Sequence, residues 1–125
     1  MRYLIVFVGA GIGGSLRLFV NQVVAQMGGA VPIGTLAINV VGSFAMGVIV
    51  EYFALHGHLP QAWRLFLTTG ILGGFTTFSA FSLEAALLYE RGQLAAAMGY
   101  VLGSVGLSIG ALFAALALVR TLMRT

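Results

Sequence analysis

The sequence predicts an all-α integral membrane protein in one domain, residues 1–125, with four transmembrane helices. Composition is the first observation behind this: 60% of the 125 residues are hydrophobic and 7% are charged, whereas soluble domains carry roughly a quarter charged residues. So few charges cannot solvate the surface of a soluble fold. The second is segmentation, because four apolar runs are separated only by short connections rich in glycine, proline, histidine or charge. The third is a run of glycines, threonines and serines, Gly70 to Ser82, inside the third apolar segment. A helix needs about 20 residues to cross a hydrocarbon core of roughly 30 Å, so four spans and their turns consume nearly all of this chain.

The first span covers about residues 3–27. Gly28 and Gly29 end it, and Pro32 disfavours helix at Val31. Arg2 followed by an apolar run superficially resembles a secretory signal, but three more apolar segments follow, so this one is read as a retained span. The second span is about residues 33–53. A polar connection containing His56, Gly57, His58 and Pro60 leads to Trp63 and Arg64, a pairing suited to the membrane interface. The third span is about residues 64–89, with Glu90, Arg91 and Gly92 as the turn, and the fourth about residues 94–119, with Arg120 and Arg124 in water or headgroups. An even number of crossings puts both termini on one side. That side holds Arg2, Arg64, Arg120 and Arg124 against Arg91 on the other, so the arginine bias predicts cytoplasmic termini.

Several function classes are excluded. The chain has six arginines, three glutamates and a formal charge of +3, but the arginines are scattered and form no stripe that could follow a nucleic-acid backbone. Gly9, Gly11 and Gly14 match GxGxxG, yet a dinucleotide site also needs an acidic residue about 20 positions on, and the first carboxylate is Glu51. Helix packing explains these glycines better, and no nucleotide motif remains. Cysteine is absent, which removes thiolate metal sites and cysteine nucleophiles. No nucleophile stands beside a base at recognisable spacing, so the chain is not read as an enzyme.

Small residues organise the spans instead. The pairs Gly9 and Gly13, Gly70 and Gly74, Gly99 and Gly103, and Gly106 and Gly110 have the spacing of closely packed membrane helices. Four short helices cannot cover so many contact faces, which predicts oligomerisation. In the third span, three glycines followed by β-branched threonines make a poor helix centre. Either the helix breaks there, and its freed backbone groups find partners or hold an ion, or it continues with its hydroxyls bonded to their own backbone. Phe78 and Phe81 share a helix face just downstream, and ring edges carry partial positive charge that can meet an anion. Thr35, Asn39 and Ser43 form one polar stripe at helical spacing, and Tyr100, Ser104 and Ser108 form another. Two such stripes suggest a track that replaces an ion's water in steps. Arg17 is the one cation deep in a span; it is either functional or snorkels to the interface. Glu84 and Glu51 are the remaining ionisable groups near the spans.

At Gly70 to Ser82 the sequence closely resembles the small bacterial fluoride channels of the Fluc or CrcB family. The resemblance extends over nearly the whole chain: Gly13 to Arg17, then Gly34, Thr35, Leu36, Asn39, Gly42 and Gly47, then Gly73 to Ser82 followed by Glu84. It implies a third helix broken near its middle and an antiparallel, dual-topology homodimer in the bacterial inner membrane, with two pores at the dimer interface passing fluoride out passively. In the same way it implies that Asn39 donates hydrogen bonds to fluoride and that Phe78 and Phe81 form an aromatic box. Tyr100, Ser104 and Ser108 match the polar positions of the fourth helix. The backbone carbonyls of Gly73 and Thr76 match positions that hold a buried structural Na+ ion. One departure is the strong arginine asymmetry, unexpected in a subunit that inserts equally both ways. Either Arg17 balances the count or an oppositely oriented paralogue is the partner; the presence of Asn39 with both phenylalanines favours the homodimer. Two other readings compete. A proton-coupled exporter like the small multidrug transporters would need a carboxylate in the first span, which has none. A noncatalytic membrane subunit would use the glycine pairs to pack on a larger partner.

Overall fold

The computed structural model describes residues 1–28, 32–57 and 60–123. The expectations placed on Gly29, Val31, His58 and Arg124 lie outside the described residues. Four helices are long and apolar enough to cross a membrane, and no strand occurs among the described residues. They are α1 (Arg2–Ala25), α2 (Ile33–Leu55), an interrupted third span over Gln61–Glu90, and α6 (Leu94–Met123). The third span consists of α3 (Gln61–Leu65), a π-helical segment (Phe66–Leu72), α4 (Gly73–Phe75) and α5 (Phe78–Glu90).

Local chemistry sets the boundaries. Gly28, at φ +74°, and Gly92, at φ +77°, take the left-handed conformation that glycine adopts without cost. At the second turn the Gln93 N–H donates to the Leu88 carbonyl and the Gly92 N–H to the Tyr89 carbonyl, each at 3.0 Å. These are the two bonds of a Schellman cap, so α5 ends and α6 begins within four residues. Pro60, with no N–H to lose, precedes α3 in an extended conformation.

The helices pair through missing side chains. α2 runs along α6 more extensively than any other pair of elements. Gly47 makes room for it, since a Cβ there would lie 2.7 Å from Ala115 Cβ and from the Leu112 carbonyl oxygen. Glu51 and Arg120 join the same ends of these two helices, with Nε 2.7 Å from Oε1, so the helices are parallel. α1 instead lies against the first half of the third span. A Cβ on Gly9 would meet Gly70 Cα and the Phe66 carbonyl oxygen at 2.9 Å, and one on Gly74 would run into the Ala10 backbone. The first two predicted glycine pairs therefore pack on each other. Around Gly99, Gly103, Gly106 and Gly110, added Cβ atoms would find open space within this chain.

The break falls slightly beyond its glycines. Gly70 stays in the π segment and Gly73 and Gly74 in α4, while Thr76 (ψ 158°) and Thr77 (φ −151°, ψ 125°) are extended. The glycines serve close approach to α1, and the β-branched pair leaves the helix. The π segment was not foreseeable from spacing, because no hydrophobic period marks its i→i+5 winding.

Candidate functional site

An interrupted helix must account for each backbone group it frees. At Thr76, N–H and Oγ1 both donate to the Leu72 carbonyl, at 3.0 and 2.9 Å. At Thr77 the partner comes from α2. Its N–H donates to Asn39 Oδ1 at 3.0 Å, and its carbonyl accepts from Asn39 Nδ2 at 3.1 Å. One primary amide thus pairs with both backbone polar groups of one residue, which also fixes which way the amide points. Asn39 keeps a second Nδ2–H beyond this pair. Thr77 Oγ1 then accepts from the Ala80 N–H at 3.1 Å and caps α5.

The carbonyls of residues 73 to 76 are less well served. In a continuous helix their donors would be the amides of residues 77 to 80, but Thr77 and Ala80 donate to side chains instead. The Gly74 carbonyl accepts from Nε of Arg17 on α1, at 3.2 Å.

These elements border a cavity of about 390 Å³ lined by Asn39, Gly42, Ser43, Thr76, Thr77, Phe78, Phe81, Ser104 and Ser108, with Met46, Val105, Ile109 and Leu112 as apolar wall. Among the described residues, no ionisable side chain lines it. Gly42 lets α2 approach the break, because a Cβ there would collide with the Thr76 methyl group. Two hydroxyls on α6, Ser104 Oγ and Ser108 Oγ, are buried and have no hydrogen-bond partner among the described residues. Phe78 is 78% exposed in this chain whereas Phe81 is 9% exposed. Three rings follow in series: Phe78 and Phe81 have centroids 5.6 Å apart, and Phe81 and Tyr100 are 5.3 Å apart.

Residues 4–116 match the family described as CrcB-like protein, Camphor Resistance (CrcB). The chain belongs to the CrcB family. Among its relatives, a protein of Granulibacter bethesdensis named "Fluoride-specific ion channel FluC" is 63% identical over 125 residues, covering 99% of this chain and 98% of the relative. A protein of the same name in Methylobacterium nodulans is 62% identical over 120 residues, covering 96% and 97%. Another in Rhodopseudomonas palustris is 58% identical over 123 residues, covering 98% and 99%.

In this CrcB chain the two polar stripes do not form one continuous row. Asn39, Ser43, Ser104 and Ser108 reach the cavity together with Thr76, Phe78 and Phe81. Thr35 and Tyr100, 2% and 3% exposed, converge instead on Glu84, donating to Oε1 at 2.8 Å and to Oε2 at 2.9 Å. Gly73 does not line the cavity, and Arg17 sits on the α1 side of the break. Thr77 was given no individual role by the CrcB pattern, although it makes most of the contacts at the break. A threonine three residues before an α5 amide is an N-cap signature, and that signal was available.

Proposed function

We propose that this chain is the subunit of a passive fluoride-selective channel, with the cavity beside the helix break as part of its anion path. The observation that carries this reading is the pair of buried hydroxyls, Ser104 and Ser108, facing a cavity with no partner. Burying an unsatisfied hydroxyl costs about 1–3 kcal/mol, which folding alone gives no reason to retain. A dehydrated anion that accepts their hydrogen bonds supplies one. That relatives are named fluoride-specific channels supports fluoride as that anion.

The surroundings suit fluoride. It is small and strongly hydrated, so a path must offer several short hydrogen bonds while still releasing the ion. The free Nδ2–H of Asn39, the two serines and the first amides of α5 are neutral donors, and the N-terminus of α5 adds a favourable dipole. Ring edges of Phe78 and Phe81 contribute partial positive charge without holding the ion as a full charge would. Chloride, being larger, could not bond as closely to the same groups. Proton coupling is disfavoured because no ionisable residue lines the cavity, and no nucleotide motif points to active transport. A channel is not an enzyme.

The same reading extends to assembly. Phe78 and the glycine face of α6 are uncovered in one chain, which supports a second copy packed there; the inverted orientation of that copy, two pores at the interface and the bacterial inner membrane as location rest on the family resemblance alone. The Gly73 and Thr76 carbonyls lose the amides that a continuous helix would give them, since Thr77 and Ala80 bond side chains, and they suit a hard cation, which prefers oxygen ligands. Two carbonyls are too few for such a site, so a structural Na+ would need further oxygens from the second copy.

Purified protein in liposomes should release fluoride and retain chloride. The Ser104→Ala, Ser108→Ala double variant should slow fluoride release about tenfold while leaving stability unchanged or raised, since it removes two unpaired buried hydroxyls. Absence of fluoride release, or equal chloride release, would overturn the proposal.

A further inference from the structure

At the break the Thr77 and Ala80 amides, which in a continuous helix would serve the Gly73 and Thr76 carbonyls, bond side chains instead, and the Gly74 carbonyl accepts from Arg17 Nε at 3.2 Å. That donor comes from α1, 57 residues away in sequence. It is also the one cation deep in a span, and such a side chain is costly to keep there. The Gly74 carbonyl lies at the C-terminal end of the helical stretch Gln61–Phe75, where the aligned peptide dipoles leave partial negative charge. α5 begins three residues after Phe75 and faces the break with its positive end.

We infer that Arg17 is a positioning residue for the anion path: its guanidinium, bound to the Gly74 carbonyl, pins and neutralises the end of the third span's first half. The Thr76–Thr77 linker is thereby held against Asn39. Two side chains grip the break from different helices. Asn39 on α2 holds the Thr77 peptide, and Arg17 on α1 holds the Gly74 carbonyl three residues earlier. If only one grip remained, the extended linker could rotate about it, and Thr77, Phe78 and the first α5 amides would lose their placement around the cavity. Glycine packing sets how closely the arginine approaches. Gly13 lies one turn before Arg17, and a Cβ on Gly13 would strike the Ile71 carbonyl and lie 2.8 Å from the Phe75 nitrogen. α1 therefore sits near enough to the third span for the Nε to reach Gly74. The bond uses Nε of a planar fork, which a lysine ammonium cannot reproduce in geometry although it keeps the charge. Arg17 lines no part of the cavity, so its action is through the break and not by touching the ion.

This inference rests on the channel reading for its flux measurement only, and a second measurement keeps the two separable. Amide hydrogen exchange in the full-length protein in lipid nanodiscs reads the break directly. In Arg17→Gln the amides of residues 77 to 80 should exchange about tenfold faster while those of α2 and α6 are unchanged, and fluoride efflux should fall about tenfold. Arg17→Lys should recover part of both, and it carries the test if the glutamine variant does not fold: an increase of about threefold confined to the same four amides supports the inference. Unchanged exchange at residues 77 to 80, or an equal increase over all four spans, overturns it. If the unsubstituted protein passes no fluoride, the channel reading fails and the exchange data still decide the role of Arg17.

Discussion

Substituting Gly13 by alanine adds one carbon atom where α1 meets the third span. That atom would collide with the Ile71 carbonyl oxygen and lie 2.8 Å from the Phe75 nitrogen and 2.9 Å from the Ile71 carbonyl carbon. All three obstacles are backbone, so no side chain can swing aside and α1 must back away. Overpacking of this kind costs about 1–3 kcal/mol, while alanine recovers about 1 kcal/mol of helix propensity over glycine. With rigid backbone on every side the upper part of that range applies, about 2–3 kcal/mol, and the expected net loss is about 1–2 kcal/mol. Its neighbour Gly14 is the internal control. A Cβ there meets nothing within 4 Å, so Gly14→Ala should gain up to about 1 kcal/mol from propensity alone. Reversible denaturant unfolding in micelles, followed by Trp63 fluorescence, measures both. Retreat of α1 also draws Arg17 from Gly74, so Gly13→Ala should lower fluoride efflux as well. Displacement of the two variants in the same direction, or a Gly13→Ala protein as stable as the original, would refute the reasoning.

Asn39→Asp keeps an acceptor for the Thr77 N–H but sets a second oxygen against the Thr77 carbonyl in place of a donor. It should abolish fluoride efflux, whereas Asn39→Ala, which removes both bonds, should destabilise the break by about 1–3 kcal/mol; efflux and unfolding read the two effects. Thr77→Val preserves shape and removes the cap on Ala80, and should cost about 1 kcal/mol of stability with faster exchange confined to the first turn of α5.

Much of the architecture was legible because the bilayer imposes it. Apolar runs of spanning length and turn residues such as Gly28 and Gly92 located four spans, with ends differing by a few residues from those observed. The candidate site was legible in part. Asn39, Phe78, Phe81, Ser104 and Ser108 do reach one cavity, since helical spacing places side chains on a face with good accuracy. The regrouping of Thr35 and Tyr100 around Glu84 was not readable, because it depends on how α2, α5 and α6 are set against one another. The bond between Arg17 and Gly74 was hidden for a related reason. Spacing says how far a side chain lies along its own helix, and says nothing about which carbonyl of another helix has lost its donor. The π segment left no signal because glycines for close contact and glycines for loosened winding look alike in a sequence.

Phe78 projects from its own fold with most of its ring uncovered, while Phe81 is packed into the interior. A side chain that its own chain scarcely touches adds little to the folding of that chain, so a change of size or polarity at position 78 is felt mainly by whatever the ring meets outside its own fold. The rate and discrimination of permeation could therefore drift between related proteins at that one residue, while the interior ring beside it stays tied to the need to fold.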